Sequence, residues 1–257
     1  MKRFCFTIDD NIRFLKELTE RNCTSIFDHP YVALLKRLHE RFDLKIQLNL
    51  FYRMSGFDLS QMSDCYASEW AAISDWLKFS FHSDREISVP YENAGYEEVL
   101  TDCRSVNEQV LRFAGSASLA KTTTIHCCKT TEEGLKALED NGIRGLLGLY
   151  GSDEKPRVSY GLNEDYVKML RNGQFVCHGG ITFAPIDMVL NLFPIQDLLP
   201  ALSKFFTRDS IRVMIHEQFF YEDYEYFEYP DFEEKLITVF DALCKNGYQS
   251  SFLEELI

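Results

Sequence analysis

Long apolar runs are missing from this chain. No stretch approaches the roughly 20 consecutive apolar residues that a membrane helix needs. The amino terminus (Met1-Lys2-Arg3-Phe4) enters a strand-like segment without the apolar core of a signal peptide. The expectation is a cytoplasmic protein with no membrane partner. Basic residues are scarce as well: 27 Lys and Arg stand against 40 Asp and Glu, for a net charge of -13. That balance repels phosphate backbones, so nucleic acid is not an expected partner. The eight cysteines form no Cys-x-x-Cys pair, and only Cys127 and Cys128 are adjacent. A cysteine zinc site and a disulfide framework are therefore excluded, and most of these thiols read as small buried apolar groups. No glycine-rich loop follows the first strand-like run, which argues against nucleotide binding. Internal repeats, low-complexity tracts and Pro/Gly/Ser linkers are absent too. Residues 1–257 are expected to form one domain, long enough for a sizeable core.

What is present alternates. Strand-like runs fall at 3–8, 45–51, 77–81, 122–127, 145–150, 180–183 and 212–215. Helical periodicity fills the gaps, at 12–18, 31–42, 96–113, 131–141 and 232–245. Thr130 and Glu133 have the spacing of a capping box for the fourth of these helices. Such alternation predicts β-α units and a mostly parallel sheet. Seven strands can close as a barrel or stay open as a doubly wound sheet. Polar groups at the strand ends favour the barrel, whose functional residues gather at the carboxyl ends of its strands.

Thr7-Ile8-Asp9-Asp10-Asn11 is the first such end. An apolar run stops in two adjacent carboxylates, which are costly beside a core unless a metal or a catalytic task holds them. Alternation along a strand would send the two to opposite faces, whereas a turn at the strand terminus would let both approach one site. The plain alternative is that Asp9 or Asp10 caps the helix that follows. His82, His126 and His216 end three later strands. His29 and His39 lie on or beside a helical pattern and read as packing residues, and His178 remains open between the two readings.

In this order the motifs resemble the polysaccharide deacetylase family of metal-dependent carbohydrate esterases. That family opens on Thr-Phe-Asp-Asp-Gly, matched here by Thr7 to Asn11. Its His-Ser/Thr-x-x-His motif is matched by His82-Ser83-Asp84-Arg85-Glu86, with Glu86 in place of the second histidine. Its late Leu-x-His motif is matched by Met214-Ile215-His216, and its arginine-proline motif is not recognisable. The resemblance implies an α/β fold, a distorted (β/α)7-type TIM-like barrel. It implies Asp9 as general base, His216 as general acid, and Asp10 and His82 as metal ligands. A divalent ion wants three protein ligands and an open position. The third ligand stays open between Glu86 and His126. Zinc suits such a set, and oxygen ligands also admit manganese, cobalt or iron.

Arg112 either pairs on the surface or orients Asp9 or a substrate oxygen. The acidic, aromatic segment from Glu217 to Tyr229, with Glu217 and Tyr221 foremost, either packs the loop down or stacks on a sugar. The implied activity is hydrolysis of an N-acetyl amide or ester bond on a carbohydrate or other small molecule. The competing reading is a barrel derived from a deacetylase that binds a saccharide or metal without turnover, since fold alone does not carry function.

Overall fold

The computed structural model describes residues 1–21, 23–151, 154–155, 157–225 and 231–257. Its strands are β1 (Lys2–Asn11), β2 (Ile46–Phe51), β3 (Arg53–Met54), β4 (Phe57–Asp58), β5 (Leu77–Ser83), β6 (Thr122–Thr123), β7 (Gly145–Gly148), β8 (Val176–His178), β9 (Ile181–Pro185), β10 (Met188–Val189), β11 (Ser210–His216) and β12 (Tyr248–Ser250). Its helices are α1 (Arg13–Arg21), α2 (Pro30–Phe42), α3 (Ala67–Ala72), α4 (Tyr96–Phe113), α5 (Glu132–Asp140), α6 (Glu164–Arg171), α7 (Ile195–Ser203) and α8 (Phe232–Lys245).

Central in one sheet, β1 is buried along nearly its whole length because it has neighbours on every side. It runs parallel to β11, from Arg3 opposite Ser210 to Asp9 opposite His216, and parallel to β2 on its other edge. The order is β10-β11-β1-β2-β5, with β12 added beside the start of β1. A second sheet has the order β6-β7-β9-β8, in which only β8 is antiparallel. Single contacts join the two arcs. At one seam Ala120 N–H donates to the Phe79 carbonyl (2.8 Å), and at the other Asp187 N–H, just past β9, donates to the Arg212 carbonyl of β11 (2.9 Å). The fold is therefore α/β and mostly parallel, a distorted ring of strands whose ladder stays open at two seams.

Alternation sorts the faces of β1. Phe4 and Phe6 point outward and pack on Phe240 of α8, with ring centroids 5.7 and 4.8 Å apart. Burying such rings is worth about 1.5–3 kcal/mol each. Cys5 points the other way, into a small inner cluster with Leu147, Ala184 and Met214. A buried ion pair braces the second seam. Arg212 Nη2 lies 2.8 Å from Asp187 Oδ2, and Arg212 Nε donates to the Pro185 carbonyl (2.8 Å).

Two local expectations are corrected. Thr131, not Thr130, caps α5, its hydroxyl accepting from Gly134 N–H at 3.0 Å. Thr131 directly precedes the first helical residue, where that geometry is available. The fourth strand stops at Thr123, because Cys127 and Cys128 both take left-handed backbone angles (φ 62° and 55°) that no strand accommodates.

Candidate metal centre

Asp9 and Asp10 converge because β1 is irregular at its end. Pairing with β2 shifts register between Ile8 and Asn11, and Asp10 adopts φ 63°. Asp is one of the few residues that enter the left-handed region readily. The bulge turns Asp10 back toward the side on which Asp9 already faces. Asn11 pins it: its Nδ2 donates to the Ile8 carbonyl (2.5 Å) and the Asn49 carbonyl (3.2 Å), while Tyr31 Oη donates to its Oδ1 (2.9 Å).

Asp10 Oδ1 lies 3.0 Å from His82 Nε2 and 3.3 Å from His126 Nδ1. The two imidazole nitrogens are themselves 3.2 Å apart. His82 Nδ1 faces the Thr124 carbonyl, which commits that nitrogen as donor and leaves Nε2 for the cluster. Phe51 wedges against both rings at 5.2 Å. Asp10 Oδ2 accepts from Gln218 Nε2 (2.7 Å), whereas Asp10 Oδ1 is buried and faces the two imidazoles. A buried carboxylate oxygen aimed between two imidazole nitrogens is the donor set a divalent cation takes. Among the described residues, Asp10, His82 and His126 are the group of His, Cys, Asp and Glu able to share one ion. Burial opposes the charge of Asp10, but His126 and His82 outweigh it and hold the carboxyl well below its usual range. Burial also opposes the charge of His126, yet Asp10 and Cys127 raise the imidazole to about 10.

Asp9 is 1% exposed, and its Oδ1 accepts from Asn49 Nδ2 at 2.6 Å. Burial raises its carboxyl, against the pull of His82 and His216. His216 stands opposite Asp9 in the strand register, with its Nδ1 2.8 Å from Asn191 Oδ1. Asp9, His82, His126 and His216 line one cavity of about 200 Å³, closed by Leu149, Val189 and Met214. Asp10 opens onto a second cavity of about 570 Å³, walled by Phe51, Arg53, Gln218 and Tyr224.

The other expected site residues lie elsewhere. Glu86 is exposed on the rim of the larger cavity. The chain leaves β5 as a loop after Ser83, held by Asp84 N–H donating to Tyr91 Oη (2.9 Å) and by Arg53 pairing with the Asp84 carboxylate (2.6 Å). The group that stands beside Asp10 and His82 is His126. Arg112 is not brought to the cluster, since its guanidinium donates to the Leu59 carbonyl (2.9 Å) and to Gln109 (2.8 Å). Glu217 is buried and caps α1 from a distance. Its carboxylate accepts from the backbone N–H groups of Ile12 (2.7 Å), Arg13 (3.1 Å) and Phe14 (2.8 Å). The cap that Asp9 or Asp10 could have supplied thus comes from the end of β11. Tyr221 Oη donates to the same carboxylate (3.1 Å), and the Arg13 guanidinium covers its ring at 3.8 Å. Glu217 and Tyr221 are therefore occupied in packing. Residues 226–230 of that aromatic segment lie outside the described residues.

The lesser histidines resolve simply. His29 caps α2, its Nδ1 accepting from Tyr31 N–H (3.2 Å). His39 stacks on Trp76 at 4.5 Å, and His178 pairs with Glu132 at the surface (3.1 Å). Asn49 carried a signal that went unread: with Gln47 it places polar side chains at the inward positions of the otherwise apolar β2. Gln218 and Asn191 carried none.

No protein-family model and no curated protein matches the chain. Solved structures do. A family 4 acetyl xylan esterase from Clostridium thermocellum, in complex with a cobalt ion, aligns over 99% of this chain and 90% of its own, with TM-score 0.55 and 13% identity. A peptidoglycan N-acetylglucosamine deacetylase aligns over 99% and 87%, with TM-score 0.51 and 11% identity. The chain has the fold of the polysaccharide deacetylases. That fold is shared more widely: a 4-alpha-glucanotransferase from Thermococcus litoralis aligns over 99% of this chain at TM-score 0.62 and 15% identity, though the match spans 40% of the transferase. No helix among the described residues is long and apolar enough to cross a membrane.

Proposed function

We propose that the protein is a metal-dependent hydrolase that removes an acyl group, N-acetyl or ester-linked, from a carbohydrate. One observation carries this reading: buried Asp10 Oδ1 faces His82 Nε2 and His126 Nδ1, and Asp9 and His216 share the cavity of those histidines. Asp10, His82 and His126 would hold the ion, with zinc the first choice and cobalt supported by the esterase that carries it. When bound, a divalent ion polarises a carbonyl and makes nearby water more acidic.

The chain's own groups supply the proton traffic. Asp9 accepts a proton, and His216 returns one to the leaving amine or alkoxide. Asn49 engages one oxygen of Asp9 and Asn191 one nitrogen of His216, so each group has one atom left for the reaction. The larger cavity offers rings (Phe51, Tyr224) and charges (Arg53, Glu86) that suit a sugar. The names of the three aligned proteins all refer to glycans, which supports a carbohydrate substrate.

The experiment is acetate release from N-acetylated and O-acetylated sugars by protein loaded with zinc, cobalt or manganese, beside Asp9→Asn and His216→Ala. Turnover that falls in both variants is expected. No release from any substrate with any metal would overturn the reading in favour of the non-catalytic barrel.

A further inference from the structure

The sequence leaves Arg112 open between a surface pairing and a place against Asp9 or a substrate oxygen, and its guanidinium is bonded elsewhere. A neutral amide stands there instead. We propose that Asn49 is the positioning residue of Asp9, and that it selects which carboxylate oxygen does the chemistry. This rests on the role proposed above for Asp9.

Hydrogen-bond accounting fixes the direction of the Asn49 amide. Gln47 Nε2 donates to the Thr122 carbonyl (2.8 Å) and to Asn49 Oδ1 (2.7 Å), which spends both of its protons. Gln47 Oε1 accepts from Thr122 Oγ1 (2.8 Å), and Gln47 cannot be turned over, because the Thr122 carbonyl only accepts and would then face Oε1. With Oδ1 held by Gln47, Asn49 must present Nδ2 to Asp9 Oδ1, at 2.6 Å. All four side chains are buried, so each misplaced donor would carry the full desolvation cost. The network thus runs from β6 through β2 to the end of β1 with one permitted orientation.

The consequence is chemical. An amide N–H donates to a carboxylate and equally to the carbonyl oxygen of a carboxylic acid. Asn49 therefore keeps Oδ1 in both states of Asp9. The proton arrives on Oδ2, where an O–H bond forms, and leaves from the same atom. An ion pair in this place would have to be weakened at each protonation, whereas a neutral donor leaves the bond in place through the cycle.

Asn49→Asp and Asn49→Leu test this. Asn49→Leu keeps the approximate volume and cannot donate to Asp9, whereas Asn49→Asp keeps the acceptor for Gln47 and can hold Asp9 only through a proton shared between the two carboxyls, which takes Asp9 away as a free proton acceptor. The crystal structure of Asn49→Leu is expected to show the Asp9 carboxylate rotated away from its present position, with zinc affinity within about threefold of wild type because Asp10, His82 and His126 are untouched. On a substrate that the wild type turns over, kcat is expected to fall about 10–100-fold with KM nearly unchanged, the usual cost of losing such a partner. Asp9 unmoved in Asn49→Leu, or kcat of either variant within about twofold of wild type, overturns the proposal. A wild type without turnover counts against the proposed function, and the crystal structures alone then decide the positioning role.

Discussion

Metal uptake at Asp10, His82 and His126 is expected to compete with one proton, which makes affinity climb with pH. His126 Nδ1 sits 3.3 Å from Asp10 Oδ1, and that carboxylate lifts the imidazole to about 10. Near neutral pH the ring of the metal-free protein is therefore protonated. A cation needs the Nδ1 lone pair, so binding must expel the proton. Well below pH 10, each pH unit then changes the binding free energy by about 1.4 kcal/mol. From pH 6 to pH 8 the affinity for zinc or cobalt should rise about 100-fold, or about 2.7 kcal/mol. The stability of the metal-free protein moves in the opposite sense. A raised histidine stabilises the fold fully below its unfolded value near 6.5, and that contribution is lost as pH rises toward about 10. Competition titrations against a chelator of known pH dependence, with buffer-dependent calorimetry counting released protons, measure the first effect. Thermal unfolding without metal measures the second. In His126→Gln the slope of affinity against pH should flatten while affinity at pH 8 falls. A wild-type affinity that is flat from pH 6 to pH 8 would refute the reasoning, because no proton would then be held where the metal binds.

Three further outcomes follow from the packing. Glu217→Ala strips the acceptor from three backbone N–H groups at the start of α1. It should cost about 3 kcal/mol in urea unfolding, and a loss under about 1 kcal/mol would contradict the distant cap. Arg212→Met removes the guanidinium that pairs with buried Asp187 at the second seam. The expected cost is about 3–5 kcal/mol, read from the denaturation midpoint at constant m-value, and a neutral result would show that Arg208 suffices as the partner. His29 caps α2 through an unprotonated Nδ1, and burial lowers its pKa below the ordinary value. A depressed histidine gives stability that is present above its unfolded value near 6.5 and lost as pH falls. The advantage of wild type over Leu at position 29 should therefore shrink below pH 6.5, while His29→Asn, which retains a cap acceptor, should show no such trend.

Much of the fold was legible because it rests on local patterns. The runs at 3–8, 45–51 and 77–81 read as apolar strands and fall on β1, β2 and β5, and the helical spacing at 31–42, 96–113 and 232–245 falls on α2, α4 and α8. Asp9, Asp10, His82 and His216 stood out as polar interruptions at strand ends. The rest depends on contacts far apart in the chain. Glu217 reaches the α1 N-terminus across more than 200 residues, and the same residue type in the same loop could as well have faced a sugar. That His126 and not Glu86 lies beside Asp10 and His82 depends on the chain leaving β5 as a loop and on the sharp turn of the segment after β6 at Cys127. Asn49 was readable in principle, since a polar side chain facing into a strand barrel needs a partner.

His216, Glu217 and Gln218 are consecutive, yet they serve three addresses: the small cavity beside Asp9, the first turn of α1, and Asp10. The turn leaving β11 is thus a shared hinge pin. A displacement of its backbone cannot withdraw the His216 imidazole without also loosening the helix start and the far oxygen of Asp10. Changes in length between 215 and 218 strike all three together. The chain has in this way made integrity of the fold around α1 and readiness of the site one and the same condition.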